Sequence, residues 1–125
     1  GVKQDVFVAD LDWDAVLDSL KLAKVQYKEL PKTFEVRRDF SLLLDSKVRF
    51  AEIEQIAKKV DKKILRKVGL FDVYEGKNLE EGKKSYAVSF QFQDAENTLK
   101  DNQIDAIMEK IRMELANKLN AQLRE

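Results

Sequence analysis

Between Ser85 and Gln93 the chain alternates without a break: Tyr86, Val88, Phe90 and Phe92 are large and apolar, and Ser85, Ala87, Ser89 and Gln91 between them are small or polar. Successive side chains of a strand point to opposite faces. The run therefore predicts a strand with one face buried and the other left open. A sheet built on such a strand takes its covering layer on one side only, which narrows the folds available.

The neighbouring segments fit that demand. Arg38 to Leu44 predicts a first strand, and Phe50 to Val60 a helix with Ile53, Ile56, Ala57 and Val60 on one face. Ile64 to Tyr74 predicts a second strand with a bulge or bend at Gly69, ahead of the alternating third strand. A wide hairpin loop, Glu75 to Lys84, joins the two. Asp101 is the expected N-cap of a long helix whose stripe is Ile104, Ile107, Met108, Ile111, Leu115 and Leu119. Ala121 to Arg124 closes the chain as an edge strand or a frayed end. The fold expected is α+β, a ferredoxin-like split βαβ sandwich (βαββαβ) with an antiparallel sheet and two helices on one face.

Ahead of this lies a different segment. Val6-Phe7-Val8-Ala9 predicts a short buried strand, and Asp12 or Asp14 is placed to cap a helix carrying Val16, Leu17, Leu20 and Leu22. Residues 1–25 hold three basic and five acidic side chains, against twenty and eighteen in the remainder, so a boundary is expected near Val25. Gln26 to Glu35 reads as a partly extended connector, because Pro31 pushes Leu30 out of helical conformations. The chain begins on Gly1 rather than Met, and is expected to be a piece of something longer.

Composition excludes more than it proposes. There is no cysteine and no histidine, which removes disulfides, Cys/His zinc sites, thiol nucleophiles and the usual general base. With 23 basic and 23 acidic side chains the net charge is zero, so any hold on a polyanion depends on local clustering. No apolar run is long enough to span a bilayer and no signal pattern opens the chain, so a cytoplasmic location is the default expectation.

Alternation then sorts the side chains by face. Phe40, Leu42 and Leu44 are expected to pack under the helices with Phe71, Val73 and the large residues of the third strand. The open side would carry Asp39, Ser41, Asp72, Tyr74, Ser85, Ser89 and Gln91. Such a face suits splayed nucleobases, with Tyr74 as the stacking ring and hydroxyl, carboxylate and amide groups at the base edges. The plain alternative is a solvated antiparallel sheet. Lysines at Lys77, Lys83 and Lys84 in or beside the hairpin, and the pair Arg37-Arg38, are candidates for phosphate contacts; the arginines fit equally a pairing with Asp39, Asp72 or a neighbouring domain. A second cluster, Lys58, Lys59, Lys62, Lys63, Arg66 and Lys67, could also neutralise phosphates but reads more readily as a solvated helix end. No glycine-rich phosphate loop occurs.

Several blocks resemble one family in order along the chain: Pro31; Arg37-Arg38-Asp39; Leu70-Phe71-Asp72-Val73-Tyr74 with Gly76; Glu81-Gly82-Lys83-Lys84-Ser85; Phe92-Gln93; Thr98-Leu99; and Leu123-Arg124. They are similar to the C-terminal ferredoxin-fold anticodon-binding (FDX-ACB) domain of the bacterial phenylalanyl-tRNA synthetase β subunit. Val6 to Asp12 is similar to the segment ending the catalytic-like module before it. The resemblance implies a tail of that module over 1–25 and the anticodon-binding domain over 26–125. It implies docking of the tRNA(Phe) anticodon stem-loop during aminoacylation, with no catalysis by this chain and no cofactor in it. The active site, with ATP and Mg²⁺, would lie on the α subunit of an (αβ)₂ assembly that includes the rest of β; no membrane is involved. By matched position Tyr74 stacks a base, Ser85 contacts an edge or backbone, and Arg37, Arg38, Lys83 and Lys84 lie on the phosphate side. Two residues depart from the pattern: Glu35 replaces a usual proline, and Lys100 replaces a small hydroxyl residue. A generic single-strand RNA-binding module and a structural docking domain without RNA contact are the alternatives; the former usually exposes two or more aromatic rings.

Overall fold

Two units make up the chain, Gly1–Leu30 and Pro31–Glu125. The computed structural model describes residues 1–27 and 29–124; Lys28, within the expected connector, and Glu125 lie outside them.

In the first unit α1 spans Trp13–Leu20, and the Asp12 carboxylate accepts the Ala15 amide at 3.1 Å. Of the two caps the sequence offers, Asp12 is the one used, and Asp14 falls in the first turn. Leu22 lies beyond the helix, past its C-cap at Lys21. The strand expected over Val6 to Ala9 does not form. Extended backbone needs a neighbouring strand to satisfy its amides and carbonyls, none among the described residues pairs with it, and Phe7 and Val8 stay exposed.

The second unit has the order β1 (Val36–Asp45), α2 (Phe50–Val60), β2 (Leu65–Tyr74), β3 (Lys83–Phe92), α3 (Asp101–Leu119) and β4 (Gln122–Leu123). The sheet runs β2-β3-β1-β4, and every pairing is antiparallel. This is the α+β ferredoxin-like arrangement. Leu42, Leu44, Val88, Phe90 and Phe92 meet Ile53, Ala57, Ile104, Ile111 and Leu115 in one core on the helix side. Phe40 joins them with its ring 5.4 Å from that of Phe90, edge to face at 68°.

Helix starts follow a device that differs from the expected one. Asp101 is already helical and Lys100 holds the N-cap position; the Gln103 side chain reaches back to accept the Lys100 amide at 3.1 Å. Glu52 does the same for the Arg49 amide at 2.8 Å in α2. Both helices thus use the reciprocal half of a capping box. Gly69 is not the site of a bulge. It pairs regularly with Ser89, and the register slips between Leu65 and Lys67 and between Leu70 and Asp72 instead. Thr33 donates its hydroxyl to the Asp94 carbonyl and accepts from Gln93 Nε2 at 2.8 Å on its own carbonyl, fastening the residues before β1 to the end of β3.

Candidate nucleic-acid interface on the open sheet face

With α2 and α3 packed on one side, the other side of the sheet keeps a set of cross-strand rows. Tyr74 stands opposite Ser85, which faces Leu43, which faces Gln122. Next come Asp72, Ala87 and Ser41, then Gly69, Ser89 and Asp39, and last Lys67, Gln91 and Arg37. Cross-strand partners share a face, so Arg37, Asp72, Tyr74, Ser85, Ser89 and Gln91 are all brought to this surface.

Tyr74 is 38 % exposed and sits where β2 runs into the hairpin loop. Two neighbours lie against its ring. The Arg124 guanidinium lies 5.5 Å from the ring centroid, within cation–π range, and Gly76 is so close that any side chain there would strike the phenol. Ser85 is its partner on the opposite strand. Arg124 is itself placed by its amide, which donates to the Ser41 carbonyl at 2.8 Å just past β4.

The hydroxyls are less available than alternation predicts. Ser85 is only 6 % exposed and Ser89 8 %. The Ser85 hydroxyl lies 3.3 Å from that of Ser41, and Ser89 donates to the Gly69 carbonyl at 3.3 Å. A small side chain between larger neighbours is covered by them even on an uncovered face. Gly69 makes room for Ser89: a Cβ there would stand 3.0 Å from the serine oxygen.

Two basic candidates lie on the wrong side. Arg38 pairs across to Phe90 on the helix side, and its guanidinium binds the Asp101 carboxylate at 2.8 Å. Lys84 is 6 % exposed, opposite Leu44, with its ammonium 4.5 Å from the Tyr86 ring centroid. Neither adjoins the open face, because β1 and β3 carry successive residues to opposite sides. Lys83 falls on the open side, half-buried opposite Asp45, and Lys77 is exposed in the loop.

Phe71 was expected in the core and is not there. The register slip after Leu70 leaves it on the open side, 55 % exposed, with the Arg37 guanidinium 5.1 Å from its ring centroid. Arg37 is steered by Asp39, whose carboxylate takes its Nε–H at 2.8 Å; that hydrogen bond, aided by the charge, raises the arginine pKa further above its ordinary value. Val73 keeps its core-side register opposite Tyr86 yet stays exposed at the sheet edge. Lys67, grouped by its sequence with the basic helix end, also falls on the open face opposite Gln91, and Arg124 is an open-face residue with no signal in the strand pattern. Asp72 accepts the Val73 amide at 2.9 Å. Among the described residues no three acidic side chains converge as metal ligands.

These features define an α+β domain of ferredoxin-like topology whose sheet keeps one aromatic-bearing, polar face free of its own helices. The profile of the ferredoxin-fold anticodon binding domain matches residues 31–124, and the chain belongs to that family. It is 55 % identical over 123 residues to the phenylalanine–tRNA ligase β subunit of Bacteroides fragilis, covering 98 % of this chain and 15 % of the relative. The β subunit of Porphyromonas gingivalis shows the same identity and coverage, 55 %, 98 % and 15 %. That of Lactococcus lactis is 42 % identical over 120 residues, covering 96 % of the chain and 15 % of its own length. The chain thus spans about 15 % of the length of the curated relatives it matches.

Proposed function

We propose that this chain is part of a phenylalanine–tRNA ligase β subunit and that its open sheet face docks the anticodon stem-loop of tRNA(Phe) during aminoacylation. Residues 26–125 are the anticodon-binding domain in this reading, and residues 1–25 the tail of a preceding module. Its partners are the tRNA(Phe) anticodon arm, the rest of β and an α subunit in an (αβ)₂ assembly in the cytoplasm. ATP, Mg²⁺ and phenylalanine are handled on the α subunit, with no catalytic step assigned to this chain.

The observation that carries the reading is Tyr74: a half-exposed ring at the hairpin end, backed by Gly76 and Arg124, opposite a serine. An aromatic ring held at a fixed angle can stack on any base, and neighbouring cations neutralise phosphate. Asp72 and Gln91 offer acceptor and donor groups to base edges, Ser85 and Ser89 shape the surface, and Arg37, Lys77 and Lys83 supply charge.

Filter-binding titration of the chain with isolated anticodon arms, at several salt concentrations, tests it. The tRNA(Phe) arm is expected to bind and an arm with a different anticodon to bind less, with Tyr74→Ala costing about 1 to 3 kcal/mol. Equal binding of an unrelated arm would remove anticodon reading, and an unchanged affinity of Tyr74→Ala would remove the tyrosine from the site.

A further inference from the structure

A large aromatic ring left in water on an otherwise small and polar face calls for an explanation. Phe71 is placed there by the irregularity that follows Leu70, and the guanidinium beside it is locked by Asp39. The bond to Asp39 uses only Nε, so it does not draw on the four N–H groups of the two terminal nitrogens. A ring and a planar cation side by side are what nucleobases stack upon, and the cation also bonds phosphate oxygens.

We infer that Phe71 and Arg37 form a second nucleotide subsite on the open face, distinct from the Tyr74 perch, which takes an unstacked base of single-stranded RNA and the phosphate next to it. This rests on the anticodon-arm reading above. Phe71 and Tyr74 are three residues apart with the slip between them, and stand between two and three partner steps from each other, about 7 to 10 Å along the sheet. Stacked bases follow each other at about 3.4 Å. Two bases seated on these rings are therefore not stacked neighbours, and the RNA between them is splayed. Loop RNA meets that condition and duplex does not. Gln91, half-buried beside Arg37 on the adjacent strand, is the amide closest in register for an edge contact at this subsite.

The test uses the whole chain and tRNA(Phe) anticodon arms carrying 2-aminopurine at one loop position at a time, its fluorescence reporting stacking. Phe71→Leu keeps an apolar side chain at an exposed position, so far-UV circular dichroism should match the parent. It is expected to weaken arm binding about 5-fold or more and to release the fluorescence of one loop position, while Tyr74→Leu releases a different one. Arg37→Gln should lower the salt slope of binding by about one. If Phe71→Leu binds as the parent does, or releases the same position as Tyr74→Leu, there is a single perch and the second subsite is refuted while the anticodon reading stands. An unchanged salt slope in Arg37→Gln removes the phosphate contact. If the parent chain binds no arm at all, the anticodon reading itself fails and takes the subsite with it.

Discussion

Tyr74 owes its position to a residue with no side chain. The backbone of Gly76 has no positive φ to demand glycine, so the pressure against a larger residue comes from the phenol packed over it. Gly76→Ala is expected to push the Tyr74 ring aside, weakening arm binding while stability stays within about 0.5 kcal/mol of the parent; paired RNA titration and urea unfolding would show it. Asp94 offers a test in pH. Its carboxylate accepts the amides of Glu96 at 2.9 Å and Asn97 at 3.3 Å, which holds its pKa below the ordinary value. A carboxylate depressed in the folded state stabilises above its unfolded pKa, and that contribution disappears as pH falls through the folded value. Urea midpoints followed from about pH 6 down to about pH 3 should therefore fall less steeply for Asp94→Asn than for the parent. At this scale alternation puts Tyr74 and Asp72 on the face where they stand and leaves Arg37 and Arg38 without one, while grouping Lys84 with the hairpin lysines beside the open face misplaces it. Runs of adjacent basic residues look like one patch in sequence, yet a strand sends every second member to the opposite side.

Among the elements, α3 was almost fully legible: Ile104, Met108, Ile111 and Leu115 are buried and Ile107 and Leu119 flank the core, as a helical period requires. Its start was not, since a side chain reaching backward from Gln103 leaves no cap residue to find. β2 held a clue that assigning Phe71 to the core overlooks. Val68 and Leu70 are apolar at even positions and Val73 at an odd one, so the apolar phase changes between them. Only an extra residue in the strand can reconcile the two halves, and a single uniform period mistook Phe71 for core. The hairpin into β3 gives a cleaner test. Gly82 turns the chain at φ +79° and its carbonyl accepts the Ser46 amide at 2.8 Å. Gly82→Ala is expected to cost about 1 kcal/mol or more, read as a lower urea midpoint with an unchanged slope.

For the molecule as a whole, every buried core residue among those described lies between Leu42 and Ala121, outside the first unit. Residues 31–125 alone are therefore expected to unfold in one cooperative transition near the midpoint of the full chain, whereas 1–30 should show little structure by circular dichroism. A broad, non-cooperative melt of 31–125 would mean that the first unit is needed for the fold. A net charge of zero sets the character of binding too. In the proposed complex local cations would have to supply the attraction, so arm affinity is expected to drop with added salt by a slope set by the number of phosphates engaged, measured across a titration series. The two slips in β2 have one further effect. That strand borders the sheet on its outer side and carries Phe71 and Val73 in solvent, the composition of a surface on which a second molecule's backbone could add. Slips of this kind bend and twist the strand that carries them, so the distortion that turns an aromatic ring toward solvent is also expected to disfavour edge-to-edge pairing at β2.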